Sequence, residues 1–467
     1  MKKLFILFIA TGLVTSSCRK IQVDGPTTVI TDPVHANEKT VLEGRITENT
    51  TLKAAFTYKL RGLVYVTNGA ILTIEPGTKI VGENGKNGGL IITRSSKIIA
   101  DGTAEKPIVF TSEAATPQRG DWAGVVILGN APTNASFNGV QGIGEIEGGI
   151  NNSDGLGLYG TPTTQGQNPA DNSGILRYVR IEYAGYAFLP DKEINGLTFG
   201  GVGNQTVVDY VQVSYANDDS FEWFGGTVNC THLISFRTLD DDFDTDNGFS
   251  GKVQFGIVLR DSAIADISKS EAFESDNDAN GSALLPQTSA VFSNMTVLGP
   301  RANSSSVGNS LFLGAAQIRR NSSLSIFNSI FAGWPKGLLI DASKGVPTDL
   351  NITGSAPSLF VQNTIIAGSN EPVVYSASPT TPTGATGASI LGWFSTGAFS
   401  NTILTNNEEV GLTAAFNYAS PDFNPAANSP AVTGAAFANS KLAGMQQVTY
   451  RGAAAPSDSW WKGWTRW

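Results

Sequence analysis

The chain has 467 residues, of which only 15% are charged, and its 40 acidic and 31 basic side chains give a net charge of −9 at neutral pH. Its 52 glycines and the lack of long apolar stripes at helical spacing exclude a helical bundle and favour an all-β chain that is rich in turns. The acidic balance excludes a nucleic-acid-binding protein.

The N-terminus, MKKLFILFIATGLVTSSC, has the order of a bacterial secretory signal. Lys2 and Lys3 precede an apolar run from Leu4 to Val14, which is too short to span a bilayer, and small residues then lead to Cys18. Because the cysteine follows TSS as in a lipobox, we predict that residues 1–17 are a lipoprotein signal peptide and that Cys18 is lipidated. An ordinary cleaved signal with an incidental cysteine is the alternative.

Lipidation at Cys18 would hold the protein in the cell outer membrane, and the sequence leaves the choice between the periplasmic and the surface face open. Residues 18–40 are predicted to be a flexible tether between the anchor and the folded domain. Cys18 and Cys230 are the only cysteines. The mature domain would therefore contain no disulfide bond, and Cys230 is expected to be a small buried apolar residue.

Short apolar segments bounded by turn residues follow the tether. GAILTIEPGTKIVG begins at Gly69, GLIITRSSKIIADGTAEKPIVFTS at Gly89 and GDWAGVVILG at Gly120. Apolar and polar residues alternate in these segments around Pro-Gly and Asp-Gly turns, which predicts strands of about four to six residues.

The later segments repeat at a nearly constant spacing. YVRIEYAG from Tyr178 matches YVQVSYAN from Tyr210, an offset of 32, and a second frame places Asn five residues before Gly at Asn294, Asn328 and Asn363, with offsets of 34 and 35. Repeats of this length indicate a solenoid, in which each coil buries its apolar side against the next. We predict a parallel β-helix whose asparagines adopt a left-handed conformation at a turn and hydrogen-bond their equivalents in the next coil. A β-propeller or a β-sandwich is the alternative.

The repeats predict a single β-helix domain over residues 41–467. Two low-complexity stretches, near residues 130–174 and 376–389, are predicted to be loop insertions, which either carry a binding site or are flexible. The end of the chain, residues 422–467, contains Trp460, Trp461, Trp464 and Trp467. Because the last coil of a solenoid has an open apolar end, we predict that this segment is an aromatic cap; tryptophans that stack on sugars are the alternative.

Three segments rich in acidic residues share one pattern: NDDSFEWFGG, DDDFDTDNG and EAFESDNDANG. Each contains a phenylalanine followed by an acid, at offsets of 22 and 30 residues: Phe221-Glu222, Phe243-Asp244 and Phe273-Glu274. In stacked coils such positions would lie about 4.8 Å apart, so the phenylalanines would form an inward column and the acids would crowd one edge. We call these acids the acidic ladder; its members are Asp219, Glu222, Asp241, Asp242, Asp244, Asp246, Glu274, Asp276 and Asp278.

Carboxylates that crowd together repel one another unless the charge is compensated. They can spread into water, share protons so that some pKa values rise, or bind a hard cation. Ca²⁺ takes six to eight oxygen ligands from carboxylates and carbonyls, so we consider a Ca²⁺ site on the acidic ladder as one alternative and a solvated or turn-capping acidic edge as the other. The stretch is not an EF-hand, because Val253 occupies the twelfth position counted from Asp242.

The acidic ladder also has a catalytic interpretation. The spacing of Asp219, Asp241 and Asp242 resembles that of the aspartates on adjacent coils of polygalacturonases, which are β-helical inverting hydrolases, but the Gly-His-Gly and Arg-x-Lys elements of that family have no match here. Pectate lyases combine Ca²⁺ with an arginine base, for which Arg237 and Arg260 are the nearest candidates. An acidic cluster without catalytic partners is more often structural, so catalysis is the alternative interpretation.

The segments LTFGGVGNQTVVDYVQVSYANDDSFEWFGGTVN, LDDDFDTDNGFSGKVQFGIVLRD and IRRNSSLSIFNSIFAGWPKGLLID resemble a family of secreted or lipid-anchored β-helix proteins from Bacteroidota. The resemblance covers about residues 55–467 and implies a right-handed parallel β-helix in the cell envelope, without an established activity. We therefore expect a non-enzymatic outer-membrane lipoprotein that binds glycans or partner envelope proteins, with Ca²⁺ as a candidate ion. The alternative is a polysaccharide lyase or an inverting glycoside hydrolase that uses Asp219, Asp241 and Asp242.

Overall fold

The structure is a computed structural model that describes residues 39–85, 88–189 and 192–467. The predicted signal peptide, the predicted lipidation site Cys18 and nearly all of the predicted tether lie outside the described residues. Thr40–Trp467 form one compact unit. Within the described ranges, no helix is both long and apolar enough to cross a membrane.

The described chain folds as a right-handed parallel β-helix, which confirms the predicted fold class. Its strands are β1 (Val41–Ile46), β2 (Thr50–Leu52), β3 (Thr57–Val66), β4 (Ile71–Ile74), β5 (Lys79–Gly82), β6 (Gly89–Ile92), β7 (Lys97–Asp101), β8 (Ile108–Ser112), β9 (Gly124–Leu128), β10 (Ser136–Phe137), β11 (Val140–Gln141), β12 (Ile143–Glu145), β13 (Leu158–Gly160), β14 (Gly174–Glu182), β15 (Ala187–Leu189), β16 (Lys192–Glu193), β17 (Leu197–Gly200), β18 (Val207–Ser214), β19 (Phe221–Phe224), β20 (Asn229–Phe236), β21 (Phe243–Asp246), β22 (Lys252–Leu259), β23 (Ser270–Ser275), β24 (Val291–Leu298), β25 (Phe312–Arg319), β26 (Ser325–Phe327), β27 (Ile330–Ala332), β28 (Lys336–Asp341), β29 (Val361–Gln362), β30 (Ile365–Ala367), β31 (Glu371–Ser376), β32 (Thr402–Leu404), β33 (Leu412–Ala414) and β34 (Asp422–Pro425). The α-helices are α1 (Leu350–Thr353) and α2 (Gly387–Phe394), and the 3₁₀ helices are Thr163–Gln165, Gly397–Phe399, Asn407–Val410 and Ser440–Leu442.

Twenty-six strands of the described chain form three parallel walls, and each full coil adds one strand, or one part of a strand, to each wall. Wall A consists of β2, β4, β7, β14, β18, β20, β22, β24, β26 and β29. Wall B consists of β1, β3, β5, β8, β14, β18, β20, β22, β24, β27, β30 and β32. Wall C consists of β1, β3, β6, β9, β17, β19, β21, β23, β25, β28 and β31. Long strands such as β18 turn a corner and belong to two walls.

The corner between walls A and B has one residue with a left-handed backbone in each of seven successive coils. The predicted turn residues Asn294, Asn328 and Asn363 have φ angles of 57°, 54° and 55° there. Four earlier coils place rings at the same corner, with successive centroids 4.4, 4.2 and 5.1 Å apart: Tyr178, Tyr210, His232 and Phe255. Stacking of these rings compensates for the backbone strain. The side chains of Asn294 and Asn328 bond the C-terminal backbone rather than each other, which differs from the prediction.

Both predicted insertions contain regular structure. In the first, β10–β13 form two hairpins, and Ile146 and Tyr159 pack with Val126 and Leu128 on the outer side of wall C. The second leads into α2, which begins with a capping box at Thr386. The helix buries two of its apolar residues, Ile390 and Phe394, in the interior core, so α2 closes the last coil.

The Trp-rich end of the chain covers a different surface from the predicted one. Residues 405–467, which we call the strap, run back along the outer side of wall B instead of closing the last coil. Trp461 and Trp464 are buried there with outward-facing Ile234 and Ile257 of the wall. Wall B needs this cover because many of its outward side chains are aliphatic, and exposed apolar area is unfavourable. The predicted aromatic cap is therefore a lateral cover for wall B.

Three amide side chains hold the strap by forming paired hydrogen bonds with its backbone. Gln212 accepts from the N–H of Arg466 at 2.9 Å and donates to the carbonyl of the same residue at 2.8 Å. Gln254 bonds both backbone groups of Gln446 in the same way, and Asn328 bonds those of Ala436. Each side-chain amide therefore bonds a backbone N–H and a backbone C=O, as a neighbouring β-strand would, in a segment that is otherwise irregular.

We predict that Gln212→Ala lowers the free energy of unfolding by about 1–3 kcal/mol, because Gln212 is fully buried and the variant removes both of its bonds to the backbone of Arg466. The matched control is Gln118→Ala, since Gln118 is exposed and bonds only within its own loop. Chemical denaturation of both variants measures the difference. Equal losses in the two variants would show that the paired amide bonds do not fix the strap.

Candidate functional site

The phenylalanines of the three acidic segments lie on consecutive strands of wall C. Phe221 pairs in register with Phe243, and Phe243 pairs with Phe273. All three rings are fully buried in the interior, with centroids 5.6 and 5.4 Å apart. The predicted inward column is therefore present.

The acids next to these phenylalanines form two columns on the outer side of wall C. Glu222, Asp244 and Glu274 occupy equivalent positions on β19, β21 and β23. A second column lies at or just before the N-terminal ends of the same strands, where the N–H of Asp241 donates to Asp219 at 2.8 Å and the N–H of Glu271 donates to Asp241 at 2.6 Å. We call these six residues the carboxylate cluster: Asp219, Glu222, Asp241, Asp244, Glu271 and Glu274.

Glu271 is a member of the cluster that was not predicted from the sequence. It lies two residues before Phe273, as Asp219 and Asp241 lie two residues before their own phenylalanines. This common spacing could have identified it. Only 2% of Glu271 is exposed.

The oxygens of neighbouring carboxylates are close enough to share one cation. In three sets, one oxygen from each residue lies within 4.8 Å of the other two. The sets are Asp218, Asp219 and Asp240; Asp219, Glu222 and Asp244; and Asp241, Glu271 and Glu274. Asp219 belongs to the first two sets, which are therefore adjacent.

The cluster is covered although it faces outward from wall C. Asp219, Glu222 and Asp241 are each less than 8% exposed. Asn195, in the turn before β17, donates to Glu222 and accepts from the N–H of Asp219 at 3.2 Å. Wall C and its loops therefore remove these carboxylates from bulk water.

Burial raises the pKa of the cluster carboxyls, and neighbouring carboxylates raise it further. Both effects hold the pKa of Asp219, Glu222, Asp241 and Asp244 well above the usual range. Burial likewise raises the pKa of Glu274 to about 7, although the nearby Arg319 lowers it. A cluster without a cation therefore retains protons near neutral pH.

The far end of the acidic ladder is compensated by protein groups. Arg319 bonds both Glu274 and Asp276, and Arg320 bonds Asp276 at 2.5 Å. Asp246 accepts from the N–H and the side chain of the following asparagine. Asp278 closes its own turn through bonds from Asn280 and Ser282. These three aspartates have structural partners and do not belong to the carboxylate cluster.

Asp242 is separated from the other predicted ligands. It is fully buried in the interior, where it accepts from Ser235 and lies 3.3 Å from Arg260, which is also fully buried. Burial raises the pKa of Asp242 to about 6, although Arg260 opposes the shift. Arg237, the other predicted lyase base, is paired with Asp261. Asp242 and Arg260 thus form an internal ion pair, away from the outer surface.

The carboxylate cluster has the donor set of a hard cation. Its ligands are carboxylate oxygens, which Ca²⁺ prefers. One oxygen of Asp244 in the cluster, and one of Asp240 beside it, are buried and have no hydrogen-bond donor among the described residues. The set of Asp219, Glu222 and Asp244 fits such an ion, and the side chain of Asn195, which bonds Glu222 and the N–H of Asp219, lies beside it.

The cluster is less suited to inverting hydrolysis. Asp219 and Asp241 occupy adjacent coils, about 4.8 Å apart by strand spacing, whereas an inverting pair needs about 6.5–9.5 Å to admit a water. Asp242, the third predicted catalytic residue, faces the interior. The spacing of these coils is therefore shorter than the separation that an inverting pair of carboxylates needs.

We predict that the cluster makes the metal-free protein less stable as the pH rises. The pKa values of these carboxyls are higher in the folded state than in the unfolded state, so the protonated carboxyls favour folding. This contribution is complete below about pH 4. It is lost as the pH rises through the folded-state pKa values, including that of Glu274 at about 7. In a chelating buffer at pH 8, Asp244→Asn should raise the free energy of unfolding by about 1–3 kcal/mol and flatten its dependence on pH. Denaturation between pH 5 and 8 measures this, with Glu105→Gln, an exposed carboxyl, as the control. A pH profile of Asp244→Asn that parallels the wild type would contradict the prediction.

Comparison with known proteins identifies the family of this fold. Residues 44–356 match the model of the pectate-lyase-like β-helix domain. No curated protein matches the sequence. A structure similar to part of the chain is that of the Dettilon tailspike protein (gp208), with 10% sequence identity and a TM-score of 0.28 over 73% of this chain. The matched region spans 62% of the tailspike chain. The chain thus belongs to the family of pectate-lyase-like β-helix domains.

Proposed function

We propose that this protein is a non-enzymatic lipoprotein of the bacterial cell envelope that binds glycans, and that Ca²⁺ on the carboxylate cluster stabilises its β-helix. The observation that carries the proposal is the set of Asp219, Glu222 and Asp244, whose oxygens lie within 4.8 Å of one another on a covered surface. Asp219 and Glu222 are buried and Asp244 is half-buried, so three carboxylates this close together are costly to ionise. A bound Ca²⁺ removes that cost.

Ca²⁺ would also connect successive coils. Glu222 lies on β19 and Asp244 on β21, so one ion bound to both cross-links two rungs of wall C. The second set, around Asp241 and Glu271, extends the same arrangement to β23. A cation in this position therefore acts against separation of the coils, in the way that a ligand bound only to the folded state raises its stability.

We predict that Ca²⁺ at about 100 times its Kd stabilises the protein by about 2.7 kcal/mol relative to a chelating buffer. Glu222→Gln, which retains an acceptor for Asn195, should abolish most of this gain. Asp101→Asn is the control, because Asp101 pairs with Arg177 on wall A. Thermal melts with Ca²⁺ and with chelator, together with elemental analysis, test the site. An unchanged melting temperature and a calcium-free protein would remove Ca²⁺ from the proposal.

The proposal of a lipid anchor depends on the sequence before the folded domain. Cys18 follows a short apolar run and the residues TSS, which is the pattern of a lipid-acceptor cysteine in exported bacterial proteins. A resemblance to β-helix proteins from Bacteroidota supports an outer-membrane location. The tether of residues 18–40 would separate the β-helix from the membrane surface.

We predict that metabolic labelling with an alkyne fatty acid marks the wild-type protein when it is expressed in a bacterium that processes lipoproteins. Cys18→Ala should abolish the label and release the protein from the membrane fraction. Cys230→Ala, in the buried interior, is the control and should remain labelled. Label retained by Cys18→Ala, or a wild-type protein without label, would contradict lipidation at this residue.

Glycan binding is favoured by the family and by the character of the surface. Pectate lyases act on a polysaccharide, so a pectate-lyase-like β-helix is a suitable frame for a polymeric sugar ligand. The loops between the walls supply serine, asparagine and threonine side chains, which can bond sugar hydroxyls. We propose binding without hydrolysis because the acids that would have to serve as catalysts are covered and are matched to a cation.

A further inference from the structure

Two adjacent depressions lie where the strap meets the last coils, outside the carboxylate cluster. The first has a volume of about 320 Å³ and is lined by Phe416, Glu408, Asn417, Asn407 and Ala332. The second has a volume of about 470 Å³ and lies over the loop of residues 300–312. Both volumes fall within the range of small-ligand sites. Arg301 lines the second depression and Ala302 the first, so the two depressions adjoin.

The first depression combines an apolar platform with unused polar groups. Phe416 packs against the buried cluster between the strap and wall B and is half-buried, so part of its ring faces the depression. Among the described residues, the exposed carboxylate of Glu408 has no hydrogen-bond or ion-pair partner, and the side-chain N–H groups of Asn417 donate to none. The oxygen of Asn417 is already used by the N–H groups of Ala419 and Ser420.

The platform is held in place by the fold of the strap. Phe416 follows β33, which pairs with β34, and Thr413 bonds the carbonyl of Asn424 across that pair at 2.9 Å. Asn407, which is 7% exposed, donates to the carbonyl of Arg301 and thereby joins the strap to the loop of the second depression. Preorganised side chains of this kind reduce the entropy that is lost on binding.

These groups match a neutral pyranose sugar. A pyranose has a face of C–H groups, which packs on an aromatic ring, and adjacent hydroxyls that both donate and accept hydrogen bonds. Glu408 can accept from one hydroxyl, and the amide of Asn417 can donate to the next. An anionic ligand is disfavoured, because Glu408 repels it and the guanidinium of Arg301 already bonds Asn370 and the carbonyl of Gly368.

The second depression extends the same chemistry along the helix. Its loop contributes the hydroxyls of Ser304 and Ser306 and the amide of Asn309. Asn309 is fixed by bonds to the neighbouring loop, through the carbonyls of Ser262 and Ala263. A chain of sugars that fills the first depression would therefore pass over Arg301 toward further hydroxyl and amide groups.

We propose that these two depressions form a binding site for a neutral oligosaccharide, with one pyranose ring on Phe416 between Glu408 and Asn417 and the next rings over the serine-rich loop. This inference rests on the proposed glycan-binding function and assigns that function to the junction of the strap with the last coils. The carboxylate cluster has no part in the contact.

Affinity electrophoresis against galactomannan, xyloglucan, arabinoxylan, mixed-linkage β-glucan and polygalacturonate, followed by calorimetry with oligosaccharides of the polymer that is bound, tests the site. The wild type should bind at least one of the four neutral polymers. Phe416→Ala and Glu408→Gln should each weaken binding at least tenfold. The control variants, Phe137→Ala and Glu105→Gln, should bind like the wild type, and thermal melts show that all four variants fold.

The outcomes separate the site from the function. If the wild type binds a neutral glycan and both Phe416→Ala and Glu408→Gln bind it equally well, this site is wrong while glycan binding stands. If only polygalacturonate is bound, the neutral ligand class is wrong. If the wild type binds none of the five polymers, the proposed function fails and this inference fails with it. Because Glu408 is exposed, loss of binding in Glu408→Gln does not reflect unfolding.

Discussion

Stacking of coils in register, about 4.8 Å apart, is the constraint on which the other features of this structure depend. It places Phe221, Phe243 and Phe273 in one inward column, whose burial stabilises the stack. The same register repeats every outward position as well, so an acid next to each phenylalanine becomes a column of acids. The carboxylate cluster is thus a consequence of a repeat that also builds the core, and its electrostatic cost must be met by protons or by a cation.

The outer sides of the three walls are covered to different extents, and this determines where a ligand can bind. The strap covers much of wall B and reaches wall A, where Leu442 packs with Val291 and Phe327. The first insertion covers early coils of wall C. The cation site that we propose is therefore enclosed, whereas the oligosaccharide site lies at an open junction between the strap and the last coils. Stabilisation and recognition are assigned to different parts of one rigid scaffold.

Periodicity made the fold and much of the site predictable from sequence, because equivalent positions in successive coils must coincide. It identified the phenylalanine column and the left-handed turn at Asn294, and the same spacing could have found Glu271. It could not show that Asp242 faces inward, because that depends on Arg260, a partner 18 residues away in the chain that joins it only after the coil closes. The path of the strap could not be predicted either. Gln212 and Gln254 bond the backbone of the strap, and backbone bonds require no particular side chains in that segment.

Stacking in register would convert acids that are distant in the chain into a cation site. A crystal structure of the protein grown with Tb³⁺, which resembles Ca²⁺ in size and in its preference for oxygen ligands, is the decisive test of this site. We expect one anomalous peak on wall C that is bonded to Asp219, Glu222 and Asp244 together. A protein saturated with Tb³⁺ elsewhere, with these three carboxylates turned into solvent or bonded only to protein groups, would contradict it.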